Sequence, residues 1–105
     1  MNLKQDIQVD PNAAKEILRF PIEVKKELMV ILHILAIDGH LQQPYAKKLT
    51  LSLFEIRIKV KGQWRVIYAY LADRCIIILS AFKKKTQRTP STNLQLAKKR
   101  LFRYL

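Results

Sequence analysis

Four basic residues follow an unbroken apolar segment near the end of the chain. They are Lys83, Lys84, Lys85 and Arg88, and the apolar segment covers residues 75–81. A strand without polar alternation is expected to be buried on both faces, so it would hold the lysines at a rigid end. Cations fixed in this way are suited to binding phosphate. The alternative interpretation of three consecutive lysines is a solvated charge run or a general nucleic-acid patch.

A second group of charged residues alternates with apolar residues in the middle of the chain. Residues 54–60 have a period of two, which predicts a half-buried strand, and residues 64–70 predict its partner after a turn at Gly62. If the hairpin is symmetric about Gly62, Val60 faces Trp64 and Ile58 faces Val66 on the core side. A slip of one residue would bury the cations. The opposite face then presents Glu55, Arg57, Lys59, Arg65, Ile67 and Ala69.

Cations held rigidly on a sheet could simply bind phosphate, or they could cleave RNA at a phosphodiester without a metal. Cleavage requires deprotonation of the 2′-hydroxyl, stabilisation of the phosphorane charge and protonation of the leaving oxygen. Arg57 and Arg65 suit the second role because guanidinium binds phosphate bidentately and keeps its proton. A lysine surrounded by other cations has a lowered pKa and can exchange protons nearer neutrality. Glu55, the only carboxylate on this face, either acts as a base or forms an ion pair with the arginines.

The charge of the chain is large and unevenly distributed. The 105 residues carry a formal net charge of +12, with five Lys/Arg against six Asp/Glu in residues 1–46 and fifteen against two in residues 47–105. This length is typical of one domain, here residues 1–105. The excess of positive charge favours a polyanion, with nucleic acid first, or an acidic partner.

Other residue types give little indication of chemistry. Cys75 lies within the apolar segment and is interpreted as a core thiol in a reducing cytoplasm, and His33 and His40 as structural or surface residues. The sequence has neither metal-ligand spacing nor a glycine-rich phosphate loop, so we expect no metal and no cofactor. The longest apolar stretch, residues 28–37, is too short for a bilayer, and residues 1–10 are too polar for a signal peptide. We therefore expect a soluble cytoplasmic protein without a membrane partner.

The predicted order of elements is helix, helix, three strands in a meander, and helix. Asp10-Pro11 and Pro21 begin the first two helices, and Asp38-Gly39 ends the second. Thr89-Pro90 repeats the cap-plus-proline pattern before a final amphipathic helix, and residues 1–9 give a weak signal for an edge strand. The fold class is therefore α+β, with an N-terminal helical hairpin packed on an antiparallel meander sheet and a C-terminal helix.

Several segments together carry a resemblance to a known family. They are Phe20-Pro21-x-Glu23-Val24, Lys47-Lys48-Leu49, Leu53-Phe54-Glu55-Ile56-Arg57, Trp64-Arg65-Val66-Ile67-Tyr68, Phe82-Lys83-Lys84-Lys85-Thr86-Gln87-Arg88-Thr89-Pro90 and Leu96-Ala97-Lys98-Lys99-Arg100. From about residue 11 to its end, the chain resembles the RelE/ParE superfamily of toxins from type II toxin–antitoxin systems. More narrowly, the chain resembles the HigB-like, phage-derived branch of this superfamily.

This resemblance implies a small domain with helices on one side of a curved antiparallel sheet. It also implies a toxin that inhibits translation by cutting mRNA in the ribosomal A site. A cognate antitoxin is expected to neutralise this toxin. That antitoxin is expected to be a helix-turn-helix, HigA-like protein. By position, Arg57, Arg65 and Lys84 with Lys85 match the cations that stabilise the scissile phosphate. The secondary candidates for RNA contact are Lys48, Lys59, Lys83, Thr86 and Arg88.

Two features depart from RelE itself. Glu55 stands where RelE has a lysine, as is usual in the HigB-like branch, and residues 86–93 lack the tyrosine that RelE places after its last strand. The resemblance therefore leaves the general acid and base unassigned. Two other functions also fit the same pattern: a ParE-like inhibitor of DNA gyrase, and a module that binds RNA or the ribosome without catalysis.

Overall fold

The N-terminal part of the chain forms a short strand and two helices. A computed structural model describes residues 4–85 and 89–105, and it begins with β1 (Asp6–Val9), α1 (Pro11–Leu18) and α2 (Ile22–Asp38). Asp10 caps α1 as predicted, since its Oδ1 accepts hydrogen bonds from the first backbone amides of the helix. Gly39 ends α2 in the left-handed conformation, with φ of 82°.

Five strands form one sheet in the order β1-β5-β4-β3-β2. The strands that follow α2 are β2 (Ala46–Lys48), β3 (Phe54–Ile58), β4 (Trp64–Leu71) and β5 (Cys75–Lys83). The predicted antiparallel meander is confirmed for β3, β4 and β5. The edge strand that was weakly predicted within residues 1–9 is present as β1, and it runs parallel to β5. The three-residue β2, which the sequence pattern did not predict, forms the other edge.

The helices cover both faces of the sheet. α1 and α2 pack on one face, and α3 (Ser91–Leu101), followed by a 3₁₀ turn, packs on the other against Ile67, Ala69 and Leu79. The implied placement of all helices on one side is therefore wrong for α3. This arrangement explains why β5 is apolar on both faces. Within the two described ranges, none of the helices has the length and apolarity needed to cross a membrane.

The hairpin of β3 and β4 has a different register from the predicted one. Ile58 pairs with Trp64 and Ile56 with Val66, two residues away from the arrangement symmetric about Gly62. Because side chains alternate with a period of two, a shift of two residues leaves every side chain on its predicted face. The shift places Arg57 directly opposite Arg65.

A polar network holds the end of α3 against α1 and β5. Arg100 is buried and binds Glu16 through both carboxylate oxygens, at 2.9 and 3.0 Å, and the carbonyl oxygen of Leu79 at 2.8 Å. Tyr104 donates a hydrogen bond of 2.6 Å to Oδ2 of the buried Asp10. These contacts fix α3 on the face of the sheet that also carries Glu55, Arg57 and Arg65.

Candidate functional site

Two arginines converge on one carboxylate at the face covered by α3. The Nε atom of Arg57 lies 3.6 Å from Oε1 of Glu55, and the Nε atom of Arg65 lies 3.4 Å from the same oxygen. Neither contact has hydrogen-bond geometry, so the attraction is electrostatic. The expectation that both guanidinium groups lie on the same side of the sheet is therefore confirmed. The expectation that this side is open is wrong for Arg65, which is buried on a face that α3 covers in part.

Glu55 is almost completely buried, with only 1 % of its surface exposed. The Thr89 hydroxyl donates a hydrogen bond to Oε2, while Oε1 lies between the arginines. The geometry therefore favours the ion-pair interpretation of Glu55 over its role as a base. The prediction that Thr89 caps the last helix is wrong, because Pro90 occupies the N-cap position and makes no side-chain cap bond.

Arg65 is also buried, with 3 % of its surface exposed. It donates to the carbonyl oxygen of Trp64 at 2.9 Å and to Oε1 of Gln63 at 3.0 Å. Burial and the nearby charge of Arg57 lower the pKa of the Arg65 guanidinium, although Glu55 acts in the opposite direction. All of these contacts of Arg65 are made inside the protein. Arg65 therefore lies below the exposed part of the site and holds Gln63 and Glu55 in place.

Arg57 is the arginine that faces solvent, since 31 % of its side chain is exposed. Lys84 approaches the same place from the end of β5, where its backbone N–H donates to the carbonyl oxygen of Gln63 at 2.7 Å. Partial burial lowers the pKa of Lys84, and the positive charges of Arg65, Arg57 and Lys47 lower it further, against the opposing effect of Glu55. The pKa of Lys84 is thus lowered in the direction expected for a lysine among cations, but burial is the largest single cause.

The other predicted RNA contacts lie in different places. Lys85 is exposed next to Lys84, and Lys59 is exposed beyond Arg57 at the end of β3. Lys83 and Lys48 lie on the opposite face of the sheet, where their Nζ atoms are 5.5 Å and 5.9 Å from the ring centroids of Trp64 and Phe54. This places both lysines away from the arginines. The predicted contacts Thr86 and Arg88 lie outside the described residues.

Three residues of this site were not predicted from the sequence: Lys47, Gln63 and Thr89, whose hydroxyl contacts Glu55. Lys47 pairs with Glu55 across β2 and β3, and its charge reaches Lys84. Gln63 contacts Arg65 through its side chain and Lys84 through its backbone. Gln63 stands two residues before Arg65, a spacing that places both on the same side of a strand and could have identified it.

The cysteine and the histidines lie apart from this site. Cys75 begins β5 and is half-buried, and burial together with the charge of Asp6 raises the pKa of its thiol. His33 is exposed on α2, and His40 is exposed just after it. The positions of both histidines agree with the structural or surface roles predicted for them, whereas Cys75 is only half-buried and is not the core thiol that was predicted.

Comparison with known proteins identifies the family and the fold. The family described as phage derived protein Gp49-like matches residues 15–102, which is most of the 105-residue chain. Among curated proteins, none matches the sequence. A mutant of the E. coli toxin RelE in the free state has a TM-score of 0.65 at 14 % sequence identity, over 94 % of this chain and 96 % of that one.

Two further solved structures have the same fold. The archaeal RelE–RelB complex from Pyrococcus horikoshii OT3 has a TM-score of 0.63 at 20 % identity, over 81 % of this chain and 99 % of the other. The RelBE2 toxin–antitoxin complex from Mycobacterium tuberculosis has a TM-score of 0.59 at 13 % identity, over 76 % and 98 %. The chain therefore belongs to the Gp49-like family of phage derived proteins and has the RelE fold, which confirms the resemblance to that superfamily.

Proposed function

We propose that this protein is the toxin of a type II toxin–antitoxin pair, of the HigB-like branch, and that it cleaves mRNA on the ribosome. The family match and the RelE fold support the first part, since one solved neighbour is described as the toxin RelE and another as a toxin–antitoxin complex. The observation that carries the second part is the convergence of Arg57 and Arg65 on Glu55, with Lys84 held next to them through the backbone of Gln63, whose side chain contacts Arg65. We call Glu55, Arg57, Arg65 and Lys84 the Glu55 cluster.

The exposed cations of the cluster are suited to the chemistry of phosphodiester cleavage. In the proposed reaction, the 2′-hydroxyl loses its proton to water and its oxygen attacks phosphorus, while the P–O5′ bond breaks. Arg57 stabilises the negative charge of the phosphorane through two N–H groups. Lys84 donates a proton to the leaving 5′ oxygen, which its lowered pKa makes easier at neutral pH. Lys85 and Lys47 add positive charge along the RNA backbone.

Glu55 and Arg65 act as positioning residues in this proposal. The buried carboxylate holds both guanidinium groups on one side of the sheet, and Thr89 holds the carboxylate. Removal of either buried charge would leave the other uncompensated, which is costly in an apolar interior. The pair therefore sets the orientation of Arg57 without contacting RNA.

The proposed partners follow from charge and family. A net charge of +12 favours the mRNA backbone and ribosomal RNA, both of which are polyanions found in the cytoplasm. The same charge favours a neutralising antitoxin, and we propose a helix-turn-helix, HigA-like protein. Titration calorimetry with the product of the neighbouring reading frame tests this partner, and a lack of binding would contradict the pairing.

Inducible expression of three variants tests the proposed function. We expect Arg57→Ala and Lys84→Ala to abolish growth arrest and mRNA cleavage, because both groups act on the reacting phosphate. Lys15→Ala is the matched control, since it removes one exposed lysine on α1, on the other side of the sheet. Cleavage is measured by mapping mRNA 5′ ends after induction, and circular dichroism verifies that each variant is folded.

The outcomes separate the alternatives. Full toxicity of both Arg57→Ala and Lys84→Ala would exclude this site. A DNA-damage response without early translation arrest would indicate gyrase inhibition in place of nuclease activity. Ribosome binding that weakens with salt and produces no new 5′ ends would indicate a binding module.

A further inference from the structure

A small cavity lies next to the Glu55 cluster, at the edge of the sheet where β2 stops pairing with β3. Its volume is about 280 Å³. The apolar walls include Pro44, Tyr45 and Val60, and the polar groups belong to Arg57, Lys59 and Glu27. Arg57 is therefore shared between this cavity and the proposed phosphate site.

The local backbone explains why the cavity exists. The N–H of Arg57 donates to the carbonyl oxygen of Tyr45 at 2.9 Å, which is the last backbone bond along this edge before Pro44. Proline has no N–H with which to continue the ladder, so the chain leaves the sheet there. Ile58 and Val60 thus line an open recess beside Tyr45, whose backbone is fixed to Arg57.

We infer that this cavity binds one nucleobase of the RNA, next to the phosphate held by Arg57. This inference rests on the proposed function and names the part of the substrate that the neighbouring surface recognises. Tyr45 is 50 % exposed and presents an aromatic ring, on which unpaired bases stack. The volume is near the lower end for small-molecule pockets, about 300–1,000 Å³. It therefore suits a single base and is too small for an α-helix, about 10 Å across.

The charges around the cavity favour a nucleotide over an apolar side chain. Arg57 and Lys59 provide positive charge for the phosphates on either side of the base. Glu27 provides an acceptor on the wall formed by α2. An acceptor at this place can accept a hydrogen bond from the exocyclic amino group of adenine, cytosine or guanine, whereas uracil offers only its ring N3–H.

Binding of the four nucleoside 3′-monophosphates to the full-length protein, without ribosomes, tests the inference. We expect the three amino-bearing nucleotides to bind more tightly than uridine monophosphate and to shift the ring-proton resonances of Tyr45. Tyr45→Ala should weaken binding of the amino-bearing nucleotides by about 5- to 150-fold, the range for loss of one stacked base. Tyr45→Phe should leave binding unchanged, because the ring is retained. Glu27→Ala should remove the discrimination against uracil.

A control distinguishes this cavity from its neighbour. Tyr45 also lines a second cavity of about 290 Å³ that includes Ile34 and Leu41. Ile34→Ala should therefore leave nucleotide binding unchanged. Weakening by Ile34→Ala with no effect of Glu27→Ala would place the base in the second cavity and overturn the inference.

The binding assay separates failure of this inference from failure of the proposed function. If the wild-type protein cuts translated mRNA and Tyr45→Ala binds nucleotides equally well, the base pocket is wrong and the nuclease proposal stands. If nucleotides bind in the expected order but no mRNA is cut, the nuclease proposal fails and the pocket stands. Uniform binding of all four nucleotides that Tyr45→Ala does not change overturns the pocket in either case.

Discussion

Removal of the buried carboxylate at the centre of the cluster should destabilise the whole domain. In Glu55→Ala, Arg65 remains 97 % buried without its counter-charge, because only 3 % of its surface is exposed. Breaking a buried ion pair from one side costs about 3–5 kcal/mol. The free energy of unfolding of a natural domain is about 5–15 kcal/mol, so this is a large fraction of the total. The midpoint of thermal unfolding should fall by about 12–40 °C.

Thermal and urea denaturation at pH 7, followed by circular dichroism, measures this loss. A double-mutant cycle with Arg65→Met isolates the ion pair, because methionine fills similar space without a charge. We expect Glu55→Ala/Arg65→Met to be more stable than the sum of the single effects implies, by about 1–3 kcal/mol. Glu23→Ala is the control, since it breaks the exposed pair with Lys61, and its stability should fall much less than that of Glu55→Ala.

Two results would refute the reasoning about this pair. The first is a Glu55→Ala variant with the same urea midpoint as the wild type, which would mean that Arg65 is solvated and needs no counter-charge. The second is strict additivity in the double-mutant cycle, which would mean that the two side chains do not interact. Either result would also remove the basis for treating Glu55 and Arg65 as positioning residues.

Two further predictions concern protons. Lys84→Arg retains the positive charge, but arginine holds its proton more tightly, so the cleavage rate should fall at least tenfold while RNA affinity is retained. The cleavage rate of the wild type should decrease as pH rises through the lowered pKa of Lys84. A pH–rate profile without this decrease would contradict proton donation by Lys84. Burial alone would raise the pKa of Asp10, but hydrogen bonds from Tyr104 and from two backbone amides, with the charge of Arg100, lower it below 3.8. A carboxylate with a lowered folded-state pKa contributes stability above its unfolded pKa, and this contribution is lost as pH falls through the folded value. Tyr104→Phe should therefore reduce stability by about 1–2 kcal/mol at pH 7 and by much less at pH values well below 3.8, as denaturation at several pH values would show; an equal loss at both would refute this linkage.

The face on which the arginines lie could be predicted from the sequence, whereas their pairing could not. Alternation over residues 54–60 fixes the face of each side chain, and it did so correctly. The pairing register of β3 and β4 depends on the turn between them. The prediction centred this turn on Gly62, which is one residue too far along the chain. The turn is centred on Lys61, which adopts a positive φ of 52° that is uncommon for lysine. Sequence patterns give no reliable signal for such a residue.

The burial of the site depended on contacts that are distant in sequence. Ile67 and Ala69 share the charged face and are themselves almost inaccessible, because α3 covers them. Two apolar residues on an otherwise charged face were the available signal for such a cover. The position of Lys47 opposite Glu55 could not be predicted either. The strand β2, which places it there, has only three residues, too few to show a periodic pattern in the sequence.

The arrangement of charge favours an anion at the proposed site. Glu55 carries one negative charge, which offsets only one of the positive charges around it. Arg57, Lys84 and Lys47 remain as neighbours of like charge, and this repulsion is part of what lowers the pKa of Lys84. An anion placed among them would offset part of this repulsion, whereas the burial that also lowers the pKa of Lys84 would remain. RNA binding and proton transfer are thus coupled in this proposal, because the phosphate makes Lys84 hold its proton until charge develops on the leaving oxygen.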